Sequence, residues 1–292
     1  WEVETVREEK NRSLDDPARA LQDAFGRGLF GDHPYGTSVL GTIEDLARPS
    51  VSAAEAFFST WYRPCNLAVV LSGDFEAATA LALVERTLGQ LPAGDCASRS
   101  PRPLPPLEGR TEVSMVHRGQ PELRIGWRTV PAGHPDEPAL ELAAQLLSNG
   151  GTGLFDTQLE QPQRVRSPSA WAQGQRQAGS FVVRARPREG QGLDEVEALL
   201  MEQVARLAAG DFDGRELANL VRNEEVSRLE DLHDNRGRAA ALARSFILGI
   251  PWAEARGELR RLAAVSADDV RRVAATWLGG DRLVARRRSG EP

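Results

Sequence analysis

Two glutamates near the start of the chain, Glu2 and Glu9, stand seven residues apart in a helix-favouring run without a breaker, residues 1–12. Seven steps of about 100° bring a helix back to within about 20° of its starting direction, so both carboxylates share one face, two turns apart. Paired carboxylates on one face can serve a hard cation or shape the pKa of a neighbour. The same spacing also describes an ordinary solvated helix face.

The other chemistry-bearing residues are sparse. The four histidines, His33, His117, His134 and His233, include no pair four apart, the spacing that sets two imidazoles on one side of a helix for a metal. These three later histidines read as ordinary strand, loop and helix residues. Cys65 and Cys96 form no C-x-x-C pair, and neither a cysteine metal site nor a disulfide framework is indicated. The glycine-rich run Ser148 to Gly153 precedes a helix, as a phosphate cradle does. It lacks both the Gly-Lys-Ser/Thr ending and the G-x-G-x-x-G spacing, which argues against nucleotide binding. Arg286, Arg287 and Arg288 read as a solvated tail, and the scattered tryptophans, Trp1, Trp61, Trp127, Trp171, Trp252 and Trp277, as core.

Helices are expected at Pro17–Phe30, Ser52–Tyr62, Glu76–Leu91, Glu137–Leu147, Leu193–Ala209, Asp213 to about Leu248, Trp252–Ala263 and Ala267–Trp277. Residues 66–72 (NLAVVLS), 112–117, 122–128, 169–175, 180–185 and 282–285 read as strands. Five prolines in residues 92–110 mark a linker. The parts on either side share a plan: near the end of each lies a helix and then a strand, 52–62 and 66–72 in the first and 267–277 and 282–285 in the second. Helices and strands mix without strict βαβ alternation, which predicts an α+β fold. The strand at 66–72 needs partners, so strands are expected upstream of Trp1.

The chain has 292 residues, 41% hydrophobic and 27% charged, with a formal net charge of −6. This suits two soluble domains and disfavours a nucleic-acid partner, which calls for a basic surface. No apolar run approaches the roughly 20 residues of a membrane span. The first residue is Trp1 and no signal-like segment follows, so the bacterial cytoplasm and the periplasm both stay open.

In order along the chain come Glu2-Val-Glu-Thr-Val-Arg-Glu-Glu9, Asp15-Asp16-Pro17, His33-Pro34-Tyr35-Gly36, Gly41-Thr42-Ile43-Glu44-Asp45, Tyr62-Arg63-Pro64-Cys65-Asn66 and Gly73-Asp74. Leu146 to Phe155 (LLSNGGTGLF) follows. This series resembles the insulinase/pitrilysin/mitochondrial-processing-peptidase family of zinc metallopeptidases, the inverzincins, and more closely their bacterial two-subunit type. The resemblance runs nearly the whole chain. It implies two homologous α/β-roll domains, each an antiparallel-rich sheet packed by helices. The first, incomplete, would end in residues 1–92; a Pro-rich linker, 93–110, would join it to a second, non-zinc domain, 111–292.

By the same resemblance Glu9 is the third zinc ligand and Glu2 the supporting catalytic acid, with Glu8 one register away. The family's H-x-x-E-H motif, whose histidines hold zinc and whose glutamate is the general base, is absent from these residues. The Arg and Tyr that bind substrate in some family chains fall here on Glu160 and Ser167. The resemblance therefore implies a zinc-dependent endopeptidase subunit that cleaves unstructured peptides in a closed chamber formed with a homologous partner, as a heterodimer or homodimer. The alternative is a catalytically inactive structural or peptide-presenting subunit.

Overall fold

A computed structural model of the chain describes residues 2–47, 50–97 and 100–291. Trp1 and Pro292 lie outside them. Twelve α-helices and five strands are placed among the described residues. The strands are β1 (Arg110–His117), β2 (Glu122–Thr129), β3 (Arg166–Gly174), β4 (Gly179–Arg186) and β5 (Arg282–Ser289). They form one sheet in the order β1-β5-β2-β4-β3, parallel between β1 and β5 and antiparallel elsewhere. The fold is α+β.

The sheet has two buried faces, and period-two alternation sorts residues between them. Leu123, Ile125 and Trp127 of β2, Phe181 and Val183 of β4, and Val284 of β5 enter the larger core. There they meet α6 (Glu137–Leu147), α7 (Leu193–Ala209) and α12 (Ala267–Leu278). Val182 of β4 and Leu283 and Ala285 of β5 face the other way, against Leu21, Phe25, Leu29 and Phe30 of α2 (Pro17–Phe30). Close approach of α2 depends on two glycines. A Cβ at Gly126 on β2 would collide with the Phe25 ring, and one at Gly28 on α2 with Leu283.

Buried ion pairs complete this face. Glu122, 1% exposed, accepts from Arg124 at 2.8 Å and also meets Arg186 at 3.3 Å and Arg287 at 3.5 Å. Burial alone would raise the Glu122 carboxyl, but Arg124, with Arg287 and Arg186, outweighs it and holds the group below its usual range. On the opposite face Arg286 pairs with Glu197 and Asp194 of α7. The arginine run at the C-terminus is thus not a solvated tail: Arg286 and Arg287 are buried within β5 because distant acids neutralise them.

Several other expectations are corrected. The helix expected from Asp213 to Leu248 is two, α8 (Gly214–Asp231) and α9 (Asn235–Leu248), because the Asp234 side chain caps α9 by accepting from Gly237 N at 2.6 Å. The helix expected at 252–263 divides likewise into α10 (Trp252–Ala255) and α11 (Glu258–Ala263). Trp252 is 40% exposed, not core. Residues 67–71 run without pairing to any strand among the described residues. Cys65 and Cys96 are joined in a disulfide, their Cα atoms 5.9 Å apart; their sequence separation of 31 hid the pairing. This bond ties the turn after α4 (Val51–Trp61) to the chain beyond α5 (Ala77–Thr87). Neither helix, nor the short α3 (Ile43–Ala47), buries a single residue.

Candidate functional site

Glu2 and Glu9 both lie on α1 (Glu2–Asp15), and both are exposed. The flank of α1 next to Glu9 is the anchored one. Lys10 is 5% exposed and its ammonium pairs with Asp23 of α2 at 3.1 Å; Ser13 is buried beside it. A buried lysine costs free energy unless it is paired, so the Lys10–Asp23 pair fixes the rotation of α1 and thereby the outward aim of Glu9. Arg7 adds a hydrogen bond to the Leu46 carbonyl at 3.1 Å.

The C-terminal end of α1 is tied to the sheet. His117 at the end of β1 places Nε2 2.9 Å from the Leu14 carbonyl oxygen and Nδ1 3.1 Å from that of Arg118. Arg287 donates to the carbonyl of Pro17, where α2 begins. A second clasp is made by the His33-Pro34-Tyr35-Gly36 turn. His33 Nδ1 accepts from the Tyr35 N–H at 3.2 Å, so Nε2 carries the proton and donates to Gln177 Oε1 at 3.0 Å. The Gln177 N–H donates in turn to Tyr35 Oη at 3.0 Å. His33 is therefore a buried structural residue that seats α2 on the β3–β4 hairpin.

A metal ion needs three or more convergent donors. Among the described residues no group of three His, Cys, Asp or Glu is arranged to hold one. Glu9 offers one outward carboxylate, Glu2 another two turns away, and Glu8 is engaged with Arg12 at 3.5 Å. The residues described here do not make up a zinc centre by themselves.

The glycine-rich loop is organised around a residue that sequence reasoning passed over. The Asp156 carboxylate, 3% exposed, accepts from the backbone N–H groups of Asn149, Gly151 and Gly153 at 3.0, 2.9 and 3.0 Å. Those N–H groups are the ones a phosphate would need, and Asp156 already satisfies them. Eight residues separate Asp156 from Ser148, and an acid that close to a Gly-rich run was the available signal. Glu160 closes the following π-helical turn, and Ser167 sits at a bulge in β3 with φ +48°.

A second acidic cluster also went unread. Arg228 of α8 pairs with Glu141 of α6 at 2.9 Å, with Glu224 of its own helix at 2.8 Å and with Glu258 of α11. Burial is the chief cause that pushes the Glu141 carboxyl up to about 7, against the pull of Arg228 and with help from Glu137, Glu258 and Glu224. Nearby Glu137 is 8% exposed, and burial raises its carboxyl too. Glu137, Glu258 and Arg228 line a groove of about 910 Å³ together with alanines 240, 241 and 243 of α9.

Residues 50–224 match the family described as the Peptidase M16 inactive domain. The chain belongs to that family. Helix α1, with Glu2 and Glu9, lies outside the matched residues. Over 286 residues the chain is 26% identical to an uncharacterized zinc protease of Streptomyces coelicolor, covering 94% of this chain and 61% of the relative. It is 25% identical to the zinc protease PqqE of Helicobacter pylori, covering 81% of this chain and 55% of that protein. The chain thus spans less than two thirds of these curated relatives. A crystal structure of a protease from Helicobacter pylori superposes with a TM-score of 0.91 at 18% identity, covering 98% of this chain and 71% of that one. A peptidase M16 inactive domain from Pseudomonas fluorescens superposes with a TM-score of 0.83 at 16% identity, covering 99% and 72%. At such identities the likeness speaks for the fold.

Proposed function

We propose that the chain is part of a zinc-dependent endopeptidase subunit that cleaves unstructured peptides inside a chamber closed by a related partner chain. The observation that carries this reading is α1 itself. Lys10 holds it on α2 and His117 on the second half of the molecule while Glu9 is presented outward, and chains named zinc proteases align along nearly all of the chain.

In this reading residues 1–92 close a first peptidase domain, 93–110 link, and 111–292 form a non-zinc second domain. Glu9 supplies one carboxylate to a zinc site completed by residues beyond those described, and Glu2 supports it from two turns away. Zinc in such a site would acidify a bound water for attack on a peptide carbonyl. The present residues hold and orient α1. A separate homologous subunit supplies the groups that Glu160 and Ser167 do not.

One observation favours a second reading. The matched family is the inactive domain type, and Glu160 and Ser167 stand where a substrate-binding Arg and Tyr would be. A structural or peptide-presenting subunit fits both facts. Metal analysis of the intact protein, alone and with its related subunit, separates the readings. The enzyme reading expects chelator-sensitive hydrolysis of unfolded peptides that Glu9→Gln abolishes. Hydrolysis indifferent to both chelator and Glu9→Gln supports the other.

A further inference from the structure

The sheet face that carries α2 gathers like charge at one end. A Cβ at Gly126, two residues on from Arg124 in β2, would meet Phe25 of α2, and Val182, two residues before Arg184 in β4, packs in the same core. Alternation therefore turns Arg124, Arg184 and Arg186 to that face. Strand register sets two arginine pairs directly across from each other: Arg124 opposite Arg184, and Arg166 of β3 opposite Arg186. Arg287 of β5, opposite Glu122, adds a fifth guanidinium. Like charges directly opposite in a ladder, about 4.5–5.5 Å apart at Cβ, destabilise a sheet.

Little offsets these cations. Glu122 is shared by Arg124, Arg186 and Arg287, and Asp16 at the start of α2 attracts Arg287. Burial lowers the pKa of Arg287; Glu122 opposes this, and the neighbouring charges of Arg186 and Arg124 add to it. Among the described residues no carboxylate forms an ion pair with Arg166 or Arg184. Arg184 donates from Nε to Ser169 Oγ at 2.8 Å and lies over the Trp171 ring, 5.7 Å from its centre. Helix α2 packs chiefly on β5, β1 and β2, so the arginine end of β4 and β3 stays open to solvent. Arg166 is exposed, and the Arg186 side chain is 40% exposed. In a chain of formal net charge −6 this concentration of positive charge costs stability that the fold alone does not recover.

We infer that the β4–β3 end of this face is a docking surface for acidic polypeptide segments, with Arg166, Arg184 and Arg186 receiving Asp or Glu carboxylates. A guanidinium fork takes a carboxylate through two parallel hydrogen bonds. The Ser169 and Trp171 contacts hold Arg184 in place and engage Nε, which leaves its terminal nitrogens to a ligand. Arg184 and Arg186 stand about 7 Å apart along β4, the spacing of alternate side chains in an extended chain. A segment with acids at alternate positions, laid along β4, meets both, and Arg166 takes a carboxylate from its flank. A nucleic acid fits worse: three accessible arginines fall short of the roughly six to ten phosphate contacts that such partners use, and the rest of the chain repels it. The inference deepens the proposed function and rests on it for the peptide nature of the ligand, but not on zinc.

The test measures binding of two fluorescent peptides to the full chain by anisotropy, with a chelator present so that no metal-dependent hydrolysis intervenes. One peptide alternates Asp with Ser; the other has Asn in place of every Asp. The expected result is about tenfold tighter binding of the Asp peptide, a preference that shrinks as salt is raised. Arg166→Gln and Arg184→Gln each weaken it about threefold, the size of an exposed ion pair, and together abolish the preference. Arg222→Gln, an equal change of charge at an exposed position of α8, leaves it within about twofold. Both sheet variants relieve a like-charged pair, so their unfolding midpoints do not fall. The inference is overturned by no binding of the Asp peptide, by equal affinity for the Asn peptide, by an equal loss in Arg222→Gln, or by lower midpoints in both sheet variants, which would make these arginines structural. A single-stranded oligonucleotide of the same charge that binds more tightly than the Asp peptide also overturns it. Absence of hydrolysis once zinc replaces the chelator, with the Asp preference intact, counts against the proposed activity alone.

Discussion

His117 at the end of β1 hydrogen-bonds the carbonyl of Leu14 at the end of α1, with 2.9 Å between Nε2 and the oxygen. This contact joins residues far apart in the chain and sets where the outward face of α1 points. Its other ring nitrogen also faces a carbonyl, that of Arg118. His117→Phe keeps a ring but loses the ring nitrogens and with them the hydrogen bond to α1. We expect a loss of about 1–2 kcal/mol, with faster amide exchange concentrated in α1 and little change in β2 and β4. Uniform acceleration across the sheet would contradict a local role.

Arg228 balances three carboxylates from three helices, Glu141, Glu224 and Glu258. Arg228→Met leaves them facing one another. The expected destabilisation at pH 8 is about 2 kcal/mol, below that of a fully buried pair because these side chains are 22–28% exposed. Denaturant unfolding of both proteins measures it. An unchanged midpoint would show that the cluster is only solvated charge.

Glu141 gives stability a pH dependence. Its folded pKa, about 7, lies above the ordinary value of 4.5, so the folded state holds a proton that the unfolded state has released. Its favourable contribution is whole below about pH 4.5 and is lost as pH rises through about 7. Glu141→Gln keeps the neutral form, so the variant should lose less stability than the wild type between pH 5 and 8, a difference on the order of 2 kcal/mol. Parallel pH profiles for the two would contradict the assignment.

Much of the fold was legible because its signals are local. Pro17 after Asp16, and the apolar period from Leu21 to Phe30, mark α2, and Glu137–Leu147 and Leu193–Ala209 stand at their observed bounds. The break between α8 and α9 was hidden because Asp234 interrupts a run of good helix formers with only a cap. Arg286 and Arg287 look solvated until Glu197 and Glu122 are brought to them by the sheet. Residues 67–71 have strand character, yet pairing depends on neighbours elsewhere. The candidate residues follow the same rule: that Glu2 and Glu9 lie on one exposed helix was readable locally, whereas a ligand set drawn from several elements is not a local property.

The Cys65–Cys96 bond closes a loop across α5 in the least buried part of the chain. Chain-entropy arguments assign a loop of this size up to about 4 kcal/mol. Reduction, or the double change Cys65→Ser and Cys96→Ser, should raise protease sensitivity in residues 62–97 while sparing the sheet. Two free thiols in the oxidised, denatured protein would contradict the pairing.

The most direct measurement of the central claim is the zinc content of the intact protein assembled with its related subunit, for wild type and Glu9→Gln in parallel. The account predicts bound zinc in the wild type, its loss in Glu9→Gln, and retention of metal with weakened hydrolysis in Glu2→Gln. Equal zinc in wild type and Glu9→Gln, or none in either, contradicts it.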